Sequence, residues 1–135
     1  MKKKYIILPA MMLLLGICVG CSGDNLPAGF EKEQVVDQSK SFIRLLTERE
    51  YAKCYDQFND IMKNSMDQKK LENTFNSIFE GLGGFVRFKS ESLSQSKSLG
   101  VDYAVCVIKC LYENGEATFT ISLDKDLQIG GLYIK

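Results

Sequence analysis

The side chains of this 135-residue sequence best suited to chemistry are three cysteines, Cys54, Cys106 and Cys110, and a set of tyrosines. Cys106 and Cys110 fall in an alternating, strand-like stretch, where four residues span roughly 13 Å. A disulfide needs Cα atoms about 4.4–6.8 Å apart, so these two cannot pair with each other. Cys54, in a helical stretch, can pair with one of them and leave an odd thiol. The sequence has no histidine. Three cysteines without histidine do not suit zinc, and a cysteine nucleophile lacks its usual imidazole base. The plainer expectation is three buried thiols acting as small apolar side chains.

Tyr51, Tyr55 and Tyr112, with Asp102 or Tyr103 at the rim, are the polar groups able to reach an enclosed pocket. Tyr51, Tyr55, Phe58, Cys106, Ile108, Cys110, Tyr112, Phe119 and Ile121 are its candidate lining. No carboxylate interrupts the row Ala104–Tyr112, so no general base is evident and no catalytic residue is assigned. Glu113 and Glu116, facing each other across a turn, could hold a cation, although a like-charged pair at a hairpin tip is more often only tolerated. No metal site and no cofactor are implied.

Cys21 has a different chemistry. Lys2, Lys3 and Lys4 precede an apolar run, Ile6 to Val19, broken only by Pro9 and Gly16. The run is shorter than the roughly 20 residues of a membrane span and fits the core of a signal peptide. Cys18-Val19-Gly20-Cys21 then resembles the lipobox of bacterial lipoproteins, although Cys18 stands where that pattern prefers leucine. Leu15-Gly16-Ile17-Cys18 is a poorer alternative, with bulky Ile17 at the cleavage position. The resemblance implies cleavage after Gly20 and acyl chains on Cys21 that anchor the remainder to a membrane on its extracytoplasmic side. Residues 1–20 are thus expected as leader, 21–30 as a short flexible tether, and 31–135 as one domain.

With the leader's three lysines removed, the remainder is mildly acidic and shows no basic patch, which argues against a nucleic-acid partner. Hydrophobic content of 45% is enough for a packed core. From Phe30 to Thr47 the pairs Val35/Phe42 and Val36/Ile43 recur seven residues apart and predict a helix with one buried face. Thr47-Glu48-Arg49-Glu50 has the form of a capping box. It would open a second helix carrying Tyr51, Cys54, Tyr55, Phe58 and Met62. Ser65-Met66-Asp67-Gln68 would open a third, with Leu71, Phe75, Ile78, Phe79 and Leu82 on one face, ended by Gly81, Gly83 and Gly84.

Beyond Gly84 the period changes to two. Val86 and Phe88 alternate with Arg87 and Lys89 in a first strand, and Ser94 to Gly100 reads as a polar loop. Tyr103–Glu113, Ala117–Leu123 and Ile129–Ile134 are three further strands. Asn114-Gly115 reads as a type I′ hairpin turn. It would set Tyr112 opposite Ala117, Cys110 opposite Phe119, Ile108 opposite Ile121 and Cys106 opposite Leu123. Asp124-Lys125-Asp126 makes the next turn, and Gly130-Gly131 marks a bulge. The other sheet face, with Val105, Val107, Lys109 and Leu111, is a candidate homodimer interface.

The expected architecture is α+β: three N-terminal helices packed on a curved, four-stranded antiparallel sheet. The helix Phe42–Leu46, the run Glu50-Tyr51-Ala52-Lys53-Cys54-Tyr55-Asp56-Gln57-Phe58, Gly84-Phe85 and the ending Leu123–Tyr133 together resemble the bacterial family called domain of unknown function 3887. That resemblance implies a cone of the nuclear-transport-factor-2-like, or cystatin-like, type. It implies no activity and supplies no functional residues. Three readings follow: a membrane-tethered, non-catalytic module binding a small ligand or a protein; an enzyme with a tyrosine- or Asp102-based site; and a self-associating accessory protein.

Overall fold

The computed structural model describes residues 25–135. The leader, Cys21 and the tether residues 22–24 lie outside that range. Among the described residues four helices precede four strands: α1 (Lys32–Thr47), α2 (Tyr51–Asp56), α3 (Asp60–Ser65), α4 (Gln68–Leu82), β1 (Phe85–Ser98), β2 (Val101–Tyr112), β3 (Gly115–Leu123) and β4 (Ile129–Ile134). The strands form an open antiparallel sheet in the order β1-β2-β3-β4. The class is α+β, with four helices where three were expected. No helix among the described residues is long and apolar enough to cross a membrane.

α1 buries Val35, Val36, Phe42, Ile43 and Leu46, the stripe its periodicity predicts. Its end corrects the sequence reading. Thr47–Glu50 does not cap the next helix; it closes this one. Arg49 N–H bonds the Leu46 carbonyl and Glu50 N–H bonds the Leu45 carbonyl, the paired bonds of a Schellman motif. Arg49 takes the left-handed position of that motif, at φ 63°, where glycine is usual.

The expected second helix is interrupted at Gln57–Asn59, because the sheet competes for its backbone. Ile129 N–H bonds the Gln57 carbonyl at 2.7 Å, and Asn59 N–H bonds the Ile129 carbonyl at 2.8 Å. Asn59 then caps α3 by accepting from Met62 N–H. α4 is likewise capped by Asp67, which accepts from Lys70 N–H, and not by Ser65.

β1 is longer than the alternation suggested, and the polar loop expected from Ser94 is strand. Ser94, Ser96 and Ser98 pair with Val105, Tyr103 and Val101. An edge strand needs backbone partners on one side only, so its serines can face solvent. Two register shifts, at Phe85/Arg87 and Phe88/Ser90, also change its phase. Phe85 and Phe88 therefore turn inward, with ring centroids 5.0 Å apart, while Val86 is left exposed.

The β2–β3 hairpin keeps its predicted face and changes its register by two. Tyr112 pairs with Gly115, Cys110 with Ala117, Ile108 with Phe119, Cys106 with Ile121 and Ala104 with Leu123. The turn is Glu113-Asn114, and neither residue has positive φ. Docking on the end of α4 sets its shape. Asn114 N–H bonds the Leu82 carbonyl, Glu113 N–H bonds the Gly84 carbonyl, and the Glu113 carboxylate accepts from Gly84 N–H at 2.8 Å. In β4 the expected bulge is present: Ser122 pairs with Gly131 and Leu123 with Ile129, leaving Gly130 between them. A Cβ on Gly130 would overlap the Tyr103 ring and lie 2.8 Å from the Asn59 amide nitrogen.

Helices and sheet enclose one apolar core. Residues 25–30, expected as tether, belong to it in part. Leu26 and Phe30 pack against the core, Pro27 is buried, and the Gln95 amide donates to the Asn25 side chain at 2.9 Å.

Candidate functional site

The inward row of the sheet is the pocket lining that the sequence leads one to expect. Cys106, Ile108, Cys110, Phe119 and Ile121 are fully buried, and Tyr51, Phe58 and Tyr112 nearly so. Phe58 stacks between Phe42 and Tyr55, with centroids at 6.1 and 5.7 Å. These side chains are packed on one another as core. Burial pushes the free thiols of Cys54 and Cys110 up to about 12 and raises that of Cys106 as well. The buried Ser39 hydroxyl has no conventional hydrogen-bond partner; its polar neighbour is the Cys106 thiol.

The three candidate tyrosines do not converge. The Tyr112 hydroxyl shares a 2.9 Å hydrogen bond with Thr47, and burial pushes it up to about 12. Tyr55 is half-buried, with the Lys63 ammonium 5.5 Å from its ring. Tyr51 alone opens onto a surface hollow. Its hydroxyl donates to Asn76 Oδ1 at 2.9 Å, and Arg49 Nε donates to the same oxygen at 3.2 Å.

That hollow, of about 420 Å³, is lined by Arg49, Glu50, Tyr51, Ala52, Gln68, Glu72 and Asn76. Three elements build it: the Schellman end of α1, the first turn of α2 and one face of α4. Because both bonds go to Asn76 Oδ1, the guanidinium Nη groups and the Asn76 amide nitrogen remain as donors. Burial raises the Tyr51 pKa, and the nearby Arg49 charge works against that. The arrangement can accept a carboxylate or carbonyl through Arg49 and Asn76, with Glu50 and Glu72 beside it for a cationic group. Sequence reading missed Arg49, Gln68 and Asn76. The one available signal was Arg49 itself, following an apolar stripe with no glycine to end it.

The rim residues lie elsewhere. Asp102 is 3.5 Å from Lys97 in an exposed ion pair and lines a hollow with Phe30 and Asp124. Tyr103 is buried against Gly130. Glu113 and Glu116 do not face each other, since Glu116 pairs with Leu111 across the ladder and bonds Lys89, which holds its carboxyl below the usual range. On the outer face, Val105, Val107 and Leu111 are half-exposed and Lys109 exposed, with Tyr133 at 65% exposure beside Thr120. Among the described residues no cluster of Cys, Asp or Glu is placed to hold a metal ion.

A solved structure with the same fold is the NMR structure of a protein from Ruminococcus gnavus ATCC 29149. It superposes with a TM-score of 0.71 at 22% identity, over 82% of this chain and 96% of that one. At that identity the likeness speaks for the fold alone. No curated protein matches the chain. The pattern of the family described as "Protein of unknown function (DUF3887)" matches residues 39–132, from the middle of α1 into β4, and the chain belongs to that family.

Proposed function

We propose that this protein is a lipid-anchored, extracytoplasmic and non-catalytic binding module whose ligand site is the hollow at Arg49, Tyr51 and Asn76. The ligand class is a small polar molecule, or a segment of a partner protein, that presents a carboxylate. The observation that carries this reading is Arg49. A long charged residue holds a left-handed backbone position that glycine fills at lower cost, and its guanidinium is aimed at Asn76. The tightly packed inward row supports placing the ligand outside the sheet. The lipobox-like Cys18-Val19-Gly20-Cys21 supports the address. The register shifts in β1 and the bulge at Gly130, irregularities of the kind that curve a sheet, support the finer fold assignment, a nuclear-transport-factor-2-like cone.

The test is nuclear magnetic resonance titration of the isotope-labelled protein with a panel of carboxylates and carboxylate-bearing peptides. Shifts confined to residues 49–52 and 68–76 are expected. Arg49→Gly should hold the unfolding free energy within about 1 kcal/mol, since glycine relieves the left-handed position, while weakening binding at least tenfold. Shifts elsewhere, or unchanged affinity in the variant, would overturn the site.

A second reading, self-association through the outer face, is favoured by the half-exposed Val105, Val107 and Leu111, with Tyr133 on the same face across Thr120. Sedimentation at high concentration decides it, a monomer throughout being the adverse result.

A further inference from the structure

Leu99 sits where the fold gains nothing from it. Leu99 and Gly100 form the two-residue turn between the paired Ser98 and Val101, with φ of 52° and 78°. Positive φ at both positions is type I′ geometry, which suits asparagine, aspartate or glycine. Leucine is strained there by its Cβ, and this one is 85% exposed. Two residues on, Val101 is 37% exposed, and it lines a hollow together with Ile61, itself 43% exposed. Three of the five large apolar side chains exposed among the described residues thus gather at one end of the molecule.

The chain that leads to Cys21 leaves from this region. Ala28 and Phe30 line a hollow with Gly100 and Val101, and Asn25 is bonded to Gln95 on the same hairpin. Cys21 precedes Asn25 by four residues, at most about 14 Å of chain. We propose that the β1–β2 hairpin tip is a membrane-contact surface, with Leu99 and Val101 entering the lipid interface beside the acyl anchor. The proposal rests on the lipid-anchored reading of Cys21. Two side chains are too few to bind a bilayer alone. Once the anchor has made the encounter intramolecular, they are enough to orient the domain.

Three of the charges nearby are engaged. Lys97 pairs with Asp102, and the Asp124 carboxylate accepts from Asp126 N–H, Gln128 N–H and the Asn59 amide. Asp102, Asp124 and Asp126 outnumber Lys97 and Lys125 at this end, so the surface fits the apolar interface of a zwitterionic bilayer rather than anionic headgroups.

The sequence has no tryptophan, which makes a direct probe available. Mature protein carrying Leu99→Trp is purified from membranes and reconstituted into phosphatidylcholine vesicles with or without brominated chains. Tyr133→Trp, on the outer sheet face, is the control. At position 99 the indole emission should shift to the blue on reconstitution and lose at least half its intensity to bromine, while position 133 stays solvent-like. Leu99→Asn should leave the unfolding midpoint unchanged or raised, as relief of turn strain requires. Vesicle-bound protein with equal, solvent-like emission at 99 and 133 would overturn the contact surface and leave the anchor standing. Protein that does not float with vesicles, and whose Cys21 carries no diacylglycerol by mass spectrometry, would overturn the anchor and this proposal with it.

Discussion

At the residue scale, the cysteines have a measurable consequence even though no reaction is assigned to them. Burial holds Cys54 and Cys110 at about 12, against 9.0 for a free thiol, and Tyr112 at about 12 against 10.0. The folded state therefore keeps these protons at pH values where the unfolded chain has released them. Stability from the two thiols is complete below about pH 9 and is lost as pH rises towards 12, and that from Tyr112 is lost between about pH 10 and 12, in each case by up to about 1.4 kcal/mol per pH unit. Urea midpoints should be flat from pH 7 to 8.5 and fall steeply by pH 10.5. The double variant Cys54→Ala/Cys110→Ala, less stable at pH 7, should show a shallower alkaline slope; equal slopes would mean the thiols are not the cause. That the cysteines are buried was legible, because Cys106 and Cys110 share the parity of Ile108. That Arg49 shapes a hollow was not legible, because its role depends on Asn76, 27 residues further along.

At the element scale, the hinge between the helical and strand halves is the junction of α4 with the β2–β3 turn. Gly83 has φ 77°, and a Cβ there would lie 3.0 Å from both the Glu113 carboxylate and the Asn114 amide. Gly83→Ala should cost about 2 kcal/mol, combining left-handed strain with displacement of the turn. Gly81, inside the helix with nothing within 4 Å of a Cβ, is the contrast. Gly81→Ala should be neutral or stabilising by up to about 1 kcal/mol. Chemical denaturation of both variants checks the pair, and equal effects would refute the docking account. The same junction sets the hairpin register two residues from the one that Asn114-Gly115 predicts. Asn114-Gly115 is a strong local turn signal, but hydrogen bonds from α4 move the turn to Glu113-Asn114. The break between α2 and α3 has the same kind of cause, Ile129 reaching back to Gln57 and Asn59. Periodicity reports which face is buried; it is blind to backbone bonds from distant elements.

At the scale of the whole molecule, the question is how rigidly the domain is tied to whatever holds its N-terminus. Composition alone makes residues 21–30 a flexible spacer, since Gly23, Asp24, Asn25, Pro27 and Gly29 are half of it. Packing changes that. Leu26 and Phe30 rest on the core, Pro27 is buried, and Asn25 is hydrogen-bonded to Gln95. Partial burial of two large apolar side chains and a proline contributes about 2 kcal/mol after allowing for a compact unfolded state. A chain beginning at Glu31 should therefore melt about 10 °C below one beginning at Asn25. Thermal unfolding followed by circular dichroism measures the difference, and coincident curves would restore residues 25–30 to the role of tether. With that segment docked, only residues 22–24 stand in sequence between Cys21 and the packed chain. Under the lipid anchor proposed above, so short a lead keeps the β1–β2 hairpin tip, which Ala28 and Phe30 adjoin, close to the membrane.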